Sequence, residues 1–295
     1  TPSTLMVNIN NVGYALRSSQ TINLALAASW DSDSSTYATA ANRAGRDFYI
    51  YACVPTSGTV PTIVLSANST VPAGYTATNS RKIGGFHCLC VDVGTISGHT
   101  LSGYVAGNIL PASVWDLKHR PVCSPEGMVF IDGMNVWMGI YFLSSSGTAS
   151  NRQLATVYNG VIADGASSPT WNDFDFIETL GKQRMRLPSD DEFTVATQGN
   201  PQGVAISGAA DPNTTGGHVS TSSVRLISNY GIEDGCGVMW TWCRGRYYTS
   251  ASVRGLVGGA WSSGASCGPR YFESATIGAL SSTYGARAAS EPLAV

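Results

Sequence analysis

Three groupings in this sequence hold residue types that chemistry needs. Cys88 and Cys90 lie two apart within Gly84 to Val93, where alternation reads as a strand, so their thiols share a face and could join His119 or Cys123 around zinc. Structural zinc sites use tighter paired spacings, and buried free cysteine is the plainer reading. Asp190, Asp191 and Glu192 form a carboxylate cluster. They follow Ser189 at a helix start, however, where the helix dipole favours acids and Ser189 with Glu192 makes a capping box. His87, His99, His119 and His218 fit no metalloprotease or deaminase pattern, and no phosphate loop or dinucleotide fingerprint occurs. The expectation is a protein without catalysis, without a catalytic metal and without a cofactor; a structural calcium or magnesium ion is left open.

The elements that must position any site belong to a chain of 295 residues, long enough for two domains. Only 12% of residues are charged, about half the usual fraction, while Ser, Thr, Ala and Gly abound, which suits a sheet-rich displayed protein. A net charge of −2 gives no footprint for nucleic acid or an anionic membrane. No run is apolar for long enough to span a bilayer, and the first residues lack the basic and apolar regions of a signal peptide. Seven irregularly spaced cysteines argue against a disulfide framework and for folding in a reducing cytoplasm.

Residues 1–108 read as a β-rich domain for attachment or assembly. Asp47 to Val54 and Thr62 to Leu65 are its clearest strands, rich in β-branched and aromatic residues and bounded by prolines. Residues 109–295 read as a second, α+β domain. Met128 to Leu143 predicts a hairpin about Asp132-Gly133. Trp171, Phe174, Ile177 and Leu180 stand at helical spacing, and Ser189 opens a further helix. Gly199 to Ser223 predicts a surface excursion. Trp240 and Trp242 share one face of a strand and form core or the floor of a site.

The segment from Gly255 to Arg287 combines a fixed-looking frame with small polar infill. Gly, Ser and Ala make up 18 of its 33 residues, too few bulky apolar groups for a buried strand pair. Aromatic and arginine positions stud it too regularly for a linker. Tyrosine among Ser and Gly is the composition of recognition surfaces, since Tyr gives contact area at low entropic cost; an ordinary surface loop remains the plain alternative.

The order Arg186-Leu187-Pro188-Ser189, Gly231-Ile232-Glu233-Asp234, Trp240-Thr241-Trp242, Gly258-Gly259-Ala260-Trp261 and Gly285-Ala286-Arg287 carries a resemblance. Leu110-Pro111, Trp115-Asp116-Leu117, Arg120-Pro121 and Ile162-Ala163-Asp164-Gly165 extend it, so that it covers roughly Leu110 to the end. The sequence resembles the C-type-lectin fold in the branch containing formylglycine-generating-enzyme-like domains and the variable proteins of diversity-generating retroelements, nearest to receptor-binding phage tail-tip proteins. That resemblance implies a non-catalytic display protein whose segment at about 240–287 is rewritten by adenine-directed mutagenic retrohoming. It implies ligand-contacting variable positions at Ala260, Ser262, Ser263, Ser266, Tyr271, Ser274, Thr276, Leu280, Ser281, Thr283 and Tyr284. It implies scaffold at Trp240, Trp242, Gly258, Gly259, Trp261, Arg270 and Arg287. Glu273 departs from the residue set that altered Asn codons yield. The implied partner is a host or environmental surface ligand, protein or glycan. Phage members work as trimers and other members as monomers, and the implied location is a virion tail tip or fibre, or a cell surface.

Two rivals share the fold. A formylglycine-generating oxidase needs a close reactive cysteine pair in the last third, where Cys267 stands apart from Cys236 and Cys243. Calcium-dependent sugar binding needs a Glu-Pro-Asn type tripeptide, and Glu291-Pro292-Leu293 lacks the third ligand. A fixed-sequence lectin-like tail or adhesion protein that binds a glycan is the alternative function.

Overall fold

The computed structural model describes residues 5–148, 151–203, 212, 225–246 and 252–294. The chain divides into two units. The first comprises Thr1–Val91, Val105–Ile109 and Val114–Lys118; the second comprises Asp92–Tyr104, Leu110–Ser113 and His119–Val295. The chain therefore passes between the units more than once.

In the first unit, β1 (Leu5–Ile9) and β2 (Val12–Leu16) form a hairpin. Its two turn residues, Asn10 and Asn11, both take positive φ, 49° and 65°. Asparagine tolerates that region, and the resulting turn matches the twist of the strands it joins. Val7, Ile9 and Leu16 pack from the hairpin on Ala52. After the short helix α1 (Ala40–Arg43), the two proline-bounded runs form β3 (Asp47–Cys53) and β4 (Thr62–Ser66). With β5 (Ser80–His87) and the two-residue β6 (Trp115–Asp116) they make a sheet in the order β4-β3-β5-β6. Trp30, Phe48, Leu65, Phe86 and Cys88 form its core, with Trp30 edge-on to Phe48 at 4.9 Å. Cys88 sits inside this core, where burial pushes its thiol up to about 12.

In the second unit, β7 (Met128–Ile131) pairs with β8 (Val136–Gly139) in the expected hairpin. The turn differs from the expectation: Asp132–Met134 form a 3-10 turn, and the left-handed residue is Asn135, φ 50°, instead of Gly133. His119 packs against Phe130 and Trp137. β9 (Leu143–Thr148) pairs with β10 (Asn151–Thr156).

Helix α2 (Asp173–Lys182) starts at an Asn172 capping box. Its inward face is not the one the spacing predicts. Asp173, Phe176, Thr179 and Leu180 are buried, whereas Phe174 and Ile177 are exposed; Trp171 is buried but precedes the helix. The face is turned because Asp173 points inward to an arginine described below. Helix α3 (Asp190–Ala196) starts as expected: Ser189 Oγ accepts the Glu192 N–H at 3.1 Å and Glu192 Oε2 accepts the Ser189 N–H at 2.8 Å.

The last sheet has the order β13-β12-β11-β14, from β11 (Trp240–Arg246), β12 (Val253–Gly258), β13 (Gly268–Thr276) and β14 (Tyr284–Gly285). β15 (Ala289–Ser290) returns to pair with β8, and Ala289 also exchanges backbone hydrogen bonds with Arg186. The excursion expected over Gly199 to Ser223 lies largely outside the described residues.

Candidate ligand-binding face

Cross-strand register decides which side chains of the last sheet share a face. Trp242 stands opposite Leu256, and Leu256 opposite Glu273; Thr241 stands opposite Val257, and Val257 opposite Phe272. Trp242 is 0% exposed, and the Tyr284 ring meets it edge-on at 5.2 Å. A buried aromatic of this size anchors the floor. On the opposite face Val257 and Cys243 pack under Phe193 of α3, and Gly258 has room only for hydrogen there, since a Cβ would lie 2.8 Å from the Phe193 ring.

Two buried arginines hold the floor in place. Arg254 Nε donates to Asp173 Oδ2 at 2.7 Å, and its Nη1 donates to the Arg244 carbonyl at 2.8 Å. The second Asp173 oxygen accepts the Gly278 N–H at 2.7 Å, so one carboxylate at the start of α2 fixes both the sheet and the loop after β13. Arg287 is 0% exposed and takes backbone oxygens only: Ile140 at 2.8 Å, Glu233 at 2.6 Å and Asp234 at 2.8 Å, with Phe142 stacked 4.0 Å away. Its removal from water pushes its pKa down to about 10, which leaves the cation charged at neutral pH.

Around this floor the small polar residues come to the surface. Ser262, Ser266, Thr276 and Leu280 are exposed; Ser263, Tyr271, Ser274, Ser281, Thr283 and Tyr284 are half-buried. The loop from 259 to 267 is tied down through its N–H groups: Trp261 N–H reaches the Val238 carbonyl, and the Ala260 N–H donates to Ser263 Oγ. In the loop from 276 to 284, Ser281 Oγ and Thr283 Oγ1 bond each other at 2.8 Å, while Gly165 packs on the Ser281 backbone.

Two of the residues assigned by resemblance sit differently. Ala260 is 2% exposed, paired with Val238 beneath the loop, so it contacts the core and not the surface. Arg270 is exposed; its backbone N–H donates to Gln202 Oε1, but its side chain is no part of the packed scaffold. The other scaffold positions are buried or, for Trp240 and Trp261, half-buried.

Phe272, a residue the sequence reading did not single out, is 40% exposed on β13 and shares the Val257 face of the sheet, away from the Trp242 floor. A Cβ at Gly255 would lie 2.8 Å from its ring, so the bare glycine provides the seat for this aromatic. The signal was present as a glycine inside a strand, which marks close approach of another group.

Cys236, Cys243 and Cys267 are buried and form no disulfide, and burial raises all three thiols, which keeps them protonated. Among the described residues no group of three or more His, Cys, Asp or Glu side chains is arranged to hold a metal ion. Glu291 is engaged by Arg186 at 2.6 Å, and the Asp190 cluster begins α3, with Glu192 paired to the same arginine.

Comparison with known proteins extends this picture. Residues 6–116 match the family model described as Mtd second domain. The chain is 30% identical over 264 residues to a protein named tail fiber receptor-binding protein from Bordetella phage BPP-1, an alignment that covers 77% of this chain and 66% of that protein. The chain thus spans just under two thirds of that relative's length. Its structure is similar to the Major Tropism Determinant I1 variant, with a TM-score of 0.73 and 23% identity over 98% of this chain and 80% of that one. It is likewise similar to the U1 variant, with a TM-score of 0.70 and 24% identity over 85% and 73%. These likenesses show the fold: mixed α/β, sheet-rich and C-type-lectin-like.

Proposed function

Because residues 6–116 match the Mtd second-domain family model and the chain is similar to a phage tail fiber receptor-binding protein, we propose that this protein binds a surface receptor for a virion. The ligand face is formed by Ser262, Ser263, Ser266, Tyr271, Ser274, Thr276, Leu280, Ser281, Thr283 and Tyr284, with Ala260 removed. The protein acts at the tail without catalysis, and its ligand is a host-surface protein or glycan. Copies joined in a homo-oligomer would add avidity to weak single-face contacts. The second domain belongs to the formylglycine-generating-enzyme-like branch, and its exposed infill is diversified by adenine-directed retrohoming.

One observation carries the reading. Within Gly255–Arg287 the frame positions Gly258, Gly259 and Arg287 are buried, while ten of the eleven infill positions reach the surface at least in part. A fixed floor under replaceable contacts is what a recognition face requires. The test is adsorption of the purified full chain to cells of a susceptible host. A variant combining Ser262→Ala, Tyr271→Ala and Leu280→Ala should lose at least roughly tenfold in binding with an unchanged denaturation midpoint. Unchanged adsorption would place the receptor face elsewhere. Diversification is tested separately on the encoding DNA: an imperfect repeat of the segment, differing at adenines and lying near a reverse-transcriptase gene, is the expected finding, and its absence defeats that part.

A further inference from the structure

The first unit carries a groove of about 400 Å³ that the receptor-binding reading does not use. Its apolar walls come from Ile50, Ile83, Val114 and Leu117. The β1–β2 hairpin covers the neighbouring part of the sheet through Val7 and Ile9, and its Met6 and Val7 also line the groove. Gly84 also lines it, and a Cβ there would lie 2.5 Å from the Trp115 carbonyl oxygen, so the glycine lets β6 approach β5 closely beside the groove. The Trp115 ring itself packs over Gly85 and against Tyr49, on the face of the sheet opposite Ile50 and Gly84. The volume is that of a small-molecule site.

The charges at the groove are unequal. Arg81 and Lys118 both line it, against the single carboxylate of Asp116. Arg81 Nη1 donates to the Asn8 carbonyl at 2.8 Å, which fixes the guanidinium near β1 while leaving its other N–H groups to face elsewhere. Asp116 Oδ1 accepts the Lys118 backbone N–H at 2.7 Å, so part of its acceptor capacity is committed to the local turn. Lys82, the other nearby cation of β5, lies over the Tyr49 ring and does not line the groove. An apolar trough with a surplus of cations complements a ligand that is apolar along its length and negative at one end.

We propose that this groove binds a single-chain amphipathic anion, a medium-chain fatty carboxylate. The chain lies along Ile50 and Ile83, and the carboxylate meets Arg81 and Lys118. The test is calorimetric titration of the full chain with sodium decanoate and, as a charge-inverted probe of equal chain length, decyltrimethylammonium, both below micelle formation. Decanoate should bind saturably with one-to-one stoichiometry and at least roughly tenfold more tightly than the cation. Val114→Trp, at an exposed position on the wall, should abolish binding, and Lys118→Glu should reduce the preference for decanoate; Leu117→Trp serves if the first variant does not fold. Equal binding of both probes, binding of neither, or binding indifferent to these variants overturns the proposal. Sedimentation of the wild type and Val114→Trp adds one more outcome: a fall in mass in the variant, with no decanoate binding to the wild type, would make the groove a contact between copies and defeat the fatty-carboxylate assignment.

Discussion

β12 and β13 are hydrogen-bonded neighbours in one sheet, yet they live in different environments. From Arg254 to Gly258 every residue of β12 is buried; on β13 only Gly268, Pro269 and Ala275 are. The two strands differ in position. β12 lies between β11 and β13, with α3 against one face and the Asp173 carboxylate of α2 reaching Arg254, whereas β13 is the sheet's edge. An inner strand loses freedom to vary on both faces, and an edge strand keeps side chains in water. The comparison teaches that, at this edge, substitution is separated from folding by one strand spacing.

The comparison breaks most sharply at Arg254. Arg254→Ala leaves the Asp173 carboxylate buried without its cation and should cost about 3–5 kcal/mol in urea denaturation. The pair Asp173→Leu with Arg254→Met should cost less than Arg254→Ala alone, since it removes both charges together. At Gly255, the β12 position that seats Phe272, Gly255→Ala should cost about 1–2 kcal/mol as the ring is pushed out, measured the same way.

A smaller effect concerns α3, which packs on both strands. Burial pushes the Glu192 carboxyl up, but hydrogen bonds from Arg186 and the Ser189 N–H outweigh it and hold the group below its usual value of 4.5. A depressed folded-state value means that the stabilisation is present above the unfolded value and is lost as pH falls through the folded one. Denaturation midpoints of the wild type should therefore fall below about pH 4.5 more steeply than those of Glu192→Gln. The smallest effects belong to β13 itself. Ser274→Ala and Thr276→Ala should each stay within about 0.5 kcal/mol of wild type; a cost comparable to Gly255→Ala would erase the distinction between the strands.

Local signals were legible in the sequence because their causes are local. Ser189 with Glu192 predicted a helix start, the β-branched runs predicted β3 and β4, and Asp132-Gly133 marked a hairpin although Asn135 supplies the left-handed residue. The misread face of α2 had a distant cause. Asp173 turns inward to meet Arg254, 81 residues further along, and no spacing rule within the helix contains that partner. Ala260 was misplaced for a related reason: alanine suits a surface loop and a tight core contact equally, and only its pairing with Val238 separates them. Arg270 and Arg287 look alike as framing arginines, yet one is exposed and the other fully enclosed.

Arg287 has a consequence for how the fold tolerates sequence drift. Its hydrogen bonds end on the main-chain oxygens of Ile140, Glu233 and Asp234, so none of those contacts depends on which side chain those residues carry. The anchor is thus specified by a single codon, and lineages can diverge around it without needing a matching second mutation. A fastening to main-chain oxygens tolerates replacement of the side chains at all three of its partners.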